Sequence, residues 1–214
     1  MKILWLGHSC FLLTSEDGVR VLTDPFNPII GFPAPAVEAD YVTVSHQHDD
    51  HNYTKVVKGD FAVIDKPGVI HGQGVEIEGF ATFHDEVKGA KRGTNVVFRI
   101  TLDGLQVVHC GDLGHPLSAE QAQAIGPADV LLLPVGGHYT IDSEAACQVA
   151  QALQPALIVP MHFKTGALDI PITTVDPFLQ AMHSGKRAGA QEIVVTRESL
   201  ETRPGVVVLD APAA

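Results

Sequence analysis

The run HQHDDH at positions 46–51 is the feature that most limits how this chain can fold. It directly follows an apolar segment typical of a buried strand, and a tight loop after a strand brings several side chains to one point. His46 and His48, two residues apart, can bind one ion from the same side. Asp50 and His51 follow a turn and suit a second ion beside the first. Because imidazole nitrogen and carboxylate oxygen are ligands that zinc and similar divalent metals prefer, the run predicts a metal site.

Single metal-competent residues also follow four other apolar segments, namely Asp24, His84, Asp112 and His162. The carboxyl ends of neighbouring strands in an α/β sheet line the crevice where ligands bind. One such residue taken alone is usually a cap or a satisfied core residue. Five strand ends, counting His46, argue against coincidence. Together with the rest of the run at 46–51, these side chains are enough for two ions, each with three protein ligands, and a shared bridge.

The order of predicted elements indicates the fold class. Strands predominate in the first half of the chain, and strands alternate with helices in the second. Asp103-Gly104 is typical of a hairpin turn, and Gly79 is expected to break the strand predicted over Val75–His84. This order predicts an α/β fold with buried sheets in layers. With 45% hydrophobic and 18% charged residues, the chain is expected to form one domain over residues 1–214.

Composition and charge limit the partners and the compartment. The formal net charge of -11 argues against general nucleic-acid binding, because phosphate contacts need lysine and arginine. Three cysteines, Cys10, Cys110 and Cys147, have no paired spacing and suit a reducing compartment. No stretch approaches a membrane span in length, and Gly7 and His8 interrupt the N-terminal apolar stretch, which argues against a signal peptide. We therefore expect a cytoplasmic protein without a membrane partner; the sequence carries no signal for its oligomeric state.

Further motifs accompany these residues in a fixed order: Gly7-His8 with Phe11, Thr23-Asp24-Pro25, Thr82-Phe83-His84-Asp85, Gly111-Asp112, Leu133-Pro134-Val135-Gly136-Gly137 and Pro160-Met161-His162. In order and spacing the chain resembles the metallo-β-lactamase-fold hydrolases. It is most similar to the small branch that includes ascorbate-6-phosphate lactonase and predicted Zn-dependent hydrolases. The resemblance covers nearly the whole chain. It implies a four-layer αββα sandwich of two similar halves, with metals at one edge between the sheets.

The same resemblance implies two divalent ions, with zinc as the default and manganese or iron as alternatives. Three histidines are implied ligands of the first ion: His46, His48 and His84. Three residues are implied ligands of the second ion: Asp50, His51 and His162. Asp112 would bridge the two ions, and Asp24 would orient the ligands from behind.

Two such ions lower the pKa of a shared water and polarise a carbonyl or phosphoryl oxygen. The implied reaction is hydrolysis of an ester, lactone or phosphoester bond by a metal-bridging hydroxide. Two ions contribute +4, and Asp50, Asp112 and hydroxide remove three charges, so the core keeps about +1 and favours a small anionic substrate. Asp50 is predicted to carry a proton to the leaving group. His8 is the other catalytic candidate, although a structural histidine bonded to backbone is an equal alternative.

Four residues are candidates for substrate binding: Lys91, Arg92, His138 and Lys164. The first two belong to the basic segment 88–93, which follows His84 and could overhang the cleft. The alternative is an ordinary basic surface loop. His138 lies in a turn near the proposed ligands, and Lys164 lies two residues past His162 with the same ambiguity.

Other functions on the same fold remain open. The chain carries no recognisable flavin domain, RNA-gripping arm or glutathione-binding extension, which leaves a hydrolase core without a substrate module. A non-catalytic metal-binding or sensing protein is the main alternative, although a structural metal site usually closes with four ligands and no open position. A small-substrate phosphodiesterase or nuclease relative is another. An iron-loaded redox enzyme is disfavoured, because His48 stands where those proteins have a carboxylate.

Overall fold

The computed structural model describes residues 1–168 and 170–213. Within these residues fourteen strands form two sheets. In chain order the strands are β1 (Lys2–Gly7), β2 (Cys10–Thr14), β3 (Arg20–Thr23), β4 (Tyr41–Thr43), β5 (Ala62–Ile64), β6 (Gly68–Gly72), β7 (Val75–Phe83), β8 (Thr94–Leu102), β9 (Leu105–His109), β10 (Val130–Pro134), β11 (Leu157–Met161), β12 (Lys186–Arg187), β13 (Glu192–Val194) and β14 (Gly205–Val208).

The strand order brings several strand ends to one edge. The first sheet has the order β13-β1-β2-β3-β4-β5, and the second has the order β12-β14-β11-β10-β9-β8-β7-β6. β3 is parallel to β4 in the first sheet. In the second sheet β9, β10 and β11 are parallel neighbours. Because β7 and β9 are both antiparallel to β8, the carboxyl ends of β7, β9 and β11 meet at the same edge.

Helices flank these sheets, and the α-helices of the described residues are α1 (Ala119–Ile125), α2 (Ser143–Leu153), α3 (Asp176–Met182) and α4 (Arg197–Glu201). Single 3-10 turns occur at Pro28–Ile30 and Thr54–Val56. α2 begins at Asp142, whose side chain accepts a hydrogen bond from the Ala145 backbone N–H, and packs against β10. In the part of the chain described, none of the helices has the length and apolarity needed to cross a membrane.

The predicted αββα sandwich is confirmed in its two sheets and flanking helices. The main core joins both sheets, with Trp5 and Phe11 from the first and Phe98 from the second among its buried side chains. A smaller apolar cluster covers the outer face of the first sheet. There loop residues such as Phe26 and Phe32 pack in place of long helices. The outer layer of the first sheet is therefore built largely from loops.

Gly79 does not break a strand, so that prediction is wrong. β7 continues through Gly79, which pairs with Gly68 on one side and Phe98 on the other. A Cβ atom at this position would lie 2.7 Å from the Lys66 carbonyl oxygen. An interior strand glycine marks either a break or a close approach of another backbone, and here it is the close approach.

Candidate metal centre

Strand ends deliver the candidate ligands to one edge of the two sheets. Asp24 directly follows β3, His84 directly follows β7, and His162 directly follows β11. Asp112 comes three residues after β9, and the loop that follows β4 carries residues 46–51. The convergence predicted from the strand ends is therefore present.

Asp24 is the buried anchor of the histidine loop. Its carboxylate accepts hydrogen bonds from the Ser45 backbone N–H at 2.7 Å, the Ser45 hydroxyl at 2.6 Å and His51 Nδ1 at 2.9 Å. Because the Ser45 hydroxyl gives its single proton to the carboxylate, it accepts from His46 Nδ1 at 2.9 Å. Both histidines therefore donate from Nδ1, so Nε2 of each ring is the nitrogen turned to the centre. These are the contacts of a residue that orients ligands.

Asp112 lies in the middle of the histidine cluster. Its Oδ2 atom is 3.2 Å from His84 Nε2 and 3.4 Å from His162 Nε2. Its Oδ1 atom is 3.3 Å from His51 Nε2. The side chain is buried, so solvent does not compete for these atoms. One carboxylate thus contacts histidines that come from three separate strand ends.

The ring nitrogens form two triads that share no residue. The first triad is His46, His48 and His84. The second triad is His8, His51 and His162. In each triad the ligand atoms lie within 4.8 Å of one another, and a third such group joins Asp112 to His46 and His51. The arrangement can hold two neighbouring cations with a carboxylate between them.

His8 and Asp50, the two candidate catalytic residues, are in contact beside the second triad. His8 Nε2 is 3.3 Å from Asp50 Oδ2, and the same oxygen is 3.7 Å from His51 Nε2. His8 is buried and has a φ of 51°, a left-handed conformation that is uncommon for a non-glycine residue. Its carbonyl oxygen accepts a hydrogen bond from Trp5 Nε1 at 3.0 Å. The main-chain turn therefore directs the His8 imidazole toward His51 and His162. The sequence prediction has Asp50 as the third ligand at this position.

Burial and charge shift the pKa values of the centre in opposite directions. Burial lowers the pKa of His8 to about 4 and that of His46 to about 3. Burial would also lower the pKa of His51, but Asp112 raises it well above its ordinary value. Burial would raise the pKa of Asp112, but His162 and His51 hold it well below its ordinary value. The centre thus combines an ionised Asp112 carboxylate with neutral imidazoles at His8 and His46, and metal binding requires these protonation states of such ligands.

A cavity of about 320 Å³ opens over this centre. Side chains of the centre, including Asp50 and Asp112, form its floor, and Arg92, Tyr139 and Ile170 form its rim. The Arg92 guanidinium carbon lies 5.5 Å from the centre of the Tyr139 ring. Arg92 is thus brought to the cleft, as the sequence prediction expects.

The other three candidate substrate residues lie outside the cavity wall. Lys91 is exposed and forms an ion pair with Glu86. His138 is exposed and packs against Tyr139, with 4.5 Å between ring centres. Lys164 Nζ donates a hydrogen bond to the Ile170 carbonyl oxygen at 3.1 Å. Of the four candidates, Arg92 alone lines the cavity formed by the described residues.

Sequence reasoning did not single out two residues that position the ligands. One is Ser45, which connects Asp24 to His46 as described above. The other is Asn95, whose Oδ1 accepts from the Asp112 backbone N–H at 2.9 Å, while its Nδ2 donates to the Cys110 carbonyl oxygen at 3.0 Å. The available signal was a polar residue just after one apolar strand, at Ser45, and a polar residue near the start of another, at Asn95.

Comparisons with known proteins agree with this architecture. The model of the Beta-lactamase superfamily domain matches residues 2–162, a range that includes every candidate ligand. A UPF0173 metal-dependent hydrolase of Thermoplasma acidophilum is 31% identical over 191 residues, which cover 77% of this chain and 84% of the relative. A solved structure from Thermotoga maritima, a candidate Zn-dependent hydrolase of the metallo-β-lactamase superfamily, is 43% identical. It covers 98% of both chains with a TM-score of 0.82.

More distant structures share the fold alone. A diiron β-hydroxylase from Streptomyces venezuelae is 13% identical, with a TM-score of 0.60 over 98% of this chain and 53% of that chain. Two helix-flanked sheets with a histidine- and aspartate-lined edge define the class of metallo-β-lactamase folds. The family model and the closely matching relatives go further, and the chain belongs to the metallo-β-lactamase superfamily. The resemblance predicted from the sequence motifs is confirmed.

Proposed function

We propose that this protein is a metal-dependent hydrolase that uses two divalent ions to activate water against an ester, lactone or phosphoester bond. The observation that carries the proposal is a pair of histidine triads that share no residue and face one buried carboxylate, Asp112. The names of relatives support it, since the Thermoplasma acidophilum protein is a metal-dependent hydrolase and the Thermotoga maritima protein a candidate Zn-dependent one.

The residues of the centre fit cations. His51 Nε2 and Asp112 Oδ1 are buried and have no hydrogen-bond partner among the described residues. An unpartnered buried polar group costs about 1–3 kcal/mol, so a ligand that satisfies both atoms is strongly favoured. The donors are nitrogen and oxygen, which suit zinc, manganese or iron. Cys110, two residues before Asp112, is buried with a raised thiol pKa and is not a thiolate donor.

The first triad would hold one ion, and Asp50, His51 and His162 would hold the other, with Asp112 serving both. When bound, such ions lower the pKa of water and polarise the oxygen atom of the bond to be cleaved. Asp24 and Ser45 keep His46 and His51 in the tautomer that presents Nε2. Zinc is the metal we expect by default.

Asp50 is the proposed proton carrier. Its side chain is 36% exposed and borders the cavity, so it reaches both solvent and substrate. Burial would raise the pKa of Asp50, but the hydrogen bond with His8 holds it below its ordinary value. An ionised carboxylate in this position can accept a proton from water and deliver it to the leaving group. His8 would act by holding Asp50 in the ionised and correctly aimed state.

We further propose that the protein is a cytoplasmic enzyme that acts on small-molecule substrates. A cleft of about 320 Å³ suits a small substrate. Cys10 and Cys110 are buried free thiols, and Cys147 is a free thiol as well, a pattern that a reducing compartment maintains. The acidic net charge of -11 opposes general nucleic-acid binding.

The test combines metal content with turnover. Purified protein should contain about two ions per chain by elemental analysis, and it should hydrolyse at least one of a phosphodiester, a lactone and an ester reporter. His48→Ala should lose metal and turnover, whereas His71→Ala, the same change at an exposed histidine paired with Glu76, should lose neither. One ion or none, with no turnover after reloading with zinc and manganese, would overturn the proposal in favour of a binding or sensing role.

A further inference from the structure

Arg92 stands at the rim of the cleft and has no acidic partner among the described residues. In the part of the chain that the structure describes, the arginines with an ion pair are Arg20, Arg99, Arg187 and Arg197. Arg92 has no such pair among those residues, although it is half-buried and borders the cavity over the metal centre. It also borders a second cavity of about 430 Å³, which His48 lines as well. A half-buried guanidinium that borders a cleft and forms no ion pair with a described carboxylate can bind an anionic ligand there.

Tyr139 supports one face of this guanidinium. The Arg92 carbon lies 5.5 Å from the ring centre, within the range of a cation–π contact. The Tyr139 backbone N–H donates to the Gly137 carbonyl oxygen at 2.7 Å, so the ring is carried by a tight turn. Stacking occupies a face of the guanidinium plane and leaves the N–H groups at its edge able to bind a planar or tetrahedral oxyanion.

Asp85 fixes the loop that carries Arg92. This buried carboxylate accepts backbone N–H groups of Val87 and Gly89 on Oδ1, at 2.9 and 2.8 Å. On Oδ2 it accepts those of Lys91 and Arg92, at 2.9 and 2.7 Å. Four charge-assisted hydrogen bonds to one side chain hold the backbone of the whole loop in one conformation.

The loop also connects Arg92 to the metal centre. His84 begins it, and the His84 backbone N–H donates to the Gly93 carbonyl oxygen at 3.0 Å. Gly89 has a φ of 82°, and a Cβ there would lie 2.9 Å from the same oxygen. The two ends of the loop therefore place a proposed metal ligand and the arginine at a fixed separation. A substrate bound at both points would have its reactive bond and its anionic group at a defined spacing.

We propose that Arg92 is the specificity-determining residue of the cleft and binds a carboxylate or phosphate group that the substrate carries beyond the scissile bond. Asp85 is the positioning residue that holds Arg92 in place, and Tyr139 is its stacking platform. This inference rests on the proposed hydrolase function and adds the substrate class to it.

The test compares two reporter esters on the metal-loaded protein: neutral p-nitrophenyl butyrate and mono-p-nitrophenyl succinate, which ends in a carboxylate. The wild type should prefer the succinate ester in kcat/KM. Arg92→Gln should reduce that preference about 10- to 100-fold, mainly through the KM of the succinate ester. Arg92→Lys keeps the positive charge but lacks the planar guanidinium group. Its preference for the succinate ester should lie between those of the wild type and Arg92→Gln. Lys88→Gln removes the same charge from an exposed position in the same loop and should keep the preference.

Asp85→Asn tests the positioning role. The amide retains the shape of the carboxylate but loses half of its acceptor capacity, so the loop should loosen. The expected result is a reduced preference for the succinate ester, with metal content by elemental analysis remaining at the wild-type level. If Asp85→Asn loses metal as well as the preference, the proposed role of Asp85 in positioning Arg92 would be overturned. The substitution would then act through the neighbouring metal ligand, His84.

Calorimetric titration separates this inference from the proposed function and identifies the oxyanion. Acetate and methylphosphonate are titrated into metal-loaded wild type, Arg92→Gln and Lys88→Gln, and the anion whose affinity falls at least tenfold only in Arg92→Gln is the group that Arg92 binds. If none of the phosphodiester, lactone and ester reporters is turned over, the hydrolase proposal fails, yet a tenfold loss of anion affinity still supports the role of Arg92. Equal anion affinity in all three proteins, or an unchanged ester preference in Arg92→Gln, would overturn that role.

Discussion

On the floor of the cleft, Asp112 lies within 3.4 Å of three histidine nitrogens, and behind the floor Asp24 accepts three hydrogen bonds. At the rim, Arg92 is held by its backbone and by one ring contact, and its charged end is open to the cavity. Asp24 and Asp112 are buried, and each contacts several partners, so a change at either one disturbs those partners as well. A rim side chain can change with little effect on its neighbours. We therefore expect the floor to decide whether ions bind and the rim to decide which substrate binds.

The largest effect should come from the carboxylate at the centre of the floor. Asp112→Asn keeps the volume but removes the charge that three histidines surround, so metal content should fall and kcat/KM should drop more than about 100-fold, beyond the usual range for a residue behind the ligands. Elemental analysis and reporter hydrolysis measure both. Asp17→Asn, the same change on an exposed loop, is the control. Two ions per chain in Asp112→Asn would contradict the bridging role.

Asp24 lies one layer behind the ligands, so its effect should be smaller. Asp24→Asn should lower metal affinity about 10- to 100-fold, because the His51 tautomer and the Ser45 hydroxyl lose their common acceptor. Competition with a metal-sensitive chelating dye measures the affinity. Ser45→Ala, which leaves the Asp24 and His51 contact in place, should cost less. If Asp24→Asn binds metal with the same affinity as the wild type, Asp24 does not orient the metal ligands.

Metal removal should lower the free energy of unfolding, and this effect should depend on residues of the floor and not on residues of the rim. Free metal at 100 times its dissociation constant should raise the free energy of unfolding by about 2.7 kcal/mol per independent site. Chemical denaturation with and without a chelator measures this difference. The difference should vanish in Asp112→Asn and persist in Arg92→Gln, which changes only the rim. A chelator effect that is the same in all three proteins would show that the metal binds elsewhere.

Acid should destabilise the ion-free protein before its carboxylates titrate. Burial lowers the pKa of His8 to about 4 and that of His46 to about 3, against 6.5 for an ordinary histidine. Between pH 6.5 and 4 the unfolded chain therefore binds protons at these histidines that the folded chain does not, so the free energy of unfolding falls as the pH falls. His51 behaves in the opposite way, because its pKa is raised in the folded chain. Its contribution to the free energy of unfolding is fully present below pH 6.5 and is lost only as the pH rises.

Denaturant midpoints across that pH range measure the slope. His8→Gln should flatten it, because one of the protons taken up on unfolding is no longer available. His183→Gln, at a histidine distant from the cleft, should leave the slope unchanged. A slope that is identical in His8→Gln and the wild type would indicate that His8 is already protonated in the folded chain.

The smallest effect should come from the platform at the rim. Tyr139→Ala removes a cation–π contact that contributes about 0.5–1 kcal/mol, so the KM of an anionic reporter should rise about 2- to 5-fold. Tyr139→Phe keeps the ring and should retain most of the affinity. Steady-state kinetics with the succinate ester measures both variants. A loss in Tyr139→Phe as large as in Tyr139→Ala would assign the effect to the hydroxyl instead of the ring.

Local spacing made the histidine loop readable in the sequence. His46, His48 and His51 lie within one short loop after a strand, so their approach needs no knowledge of distant elements. The strand ends at Asp24 and Asp112 were readable because the carboxyl ends of strands in such a sheet share an edge. The break expected at Gly79 was wrong, because the chain that approaches this glycine comes from outside its strand.

By itself the sequence determined the layered α/β fold and the set of side chains that meet at its edge, since strand periodicity and residue type are local properties. Only the tertiary structure decided how they group. It placed His8 beside His51 and His162 and brought Asn95 into hydrogen-bond contact with the Asp112 backbone. It also packed the Arg92 guanidinium against the ring of Tyr139, which comes from a turn distant in the sequence. These pairings depend on which strands are neighbours and how loops pack, and such long-range contacts leave no periodic trace in the chain.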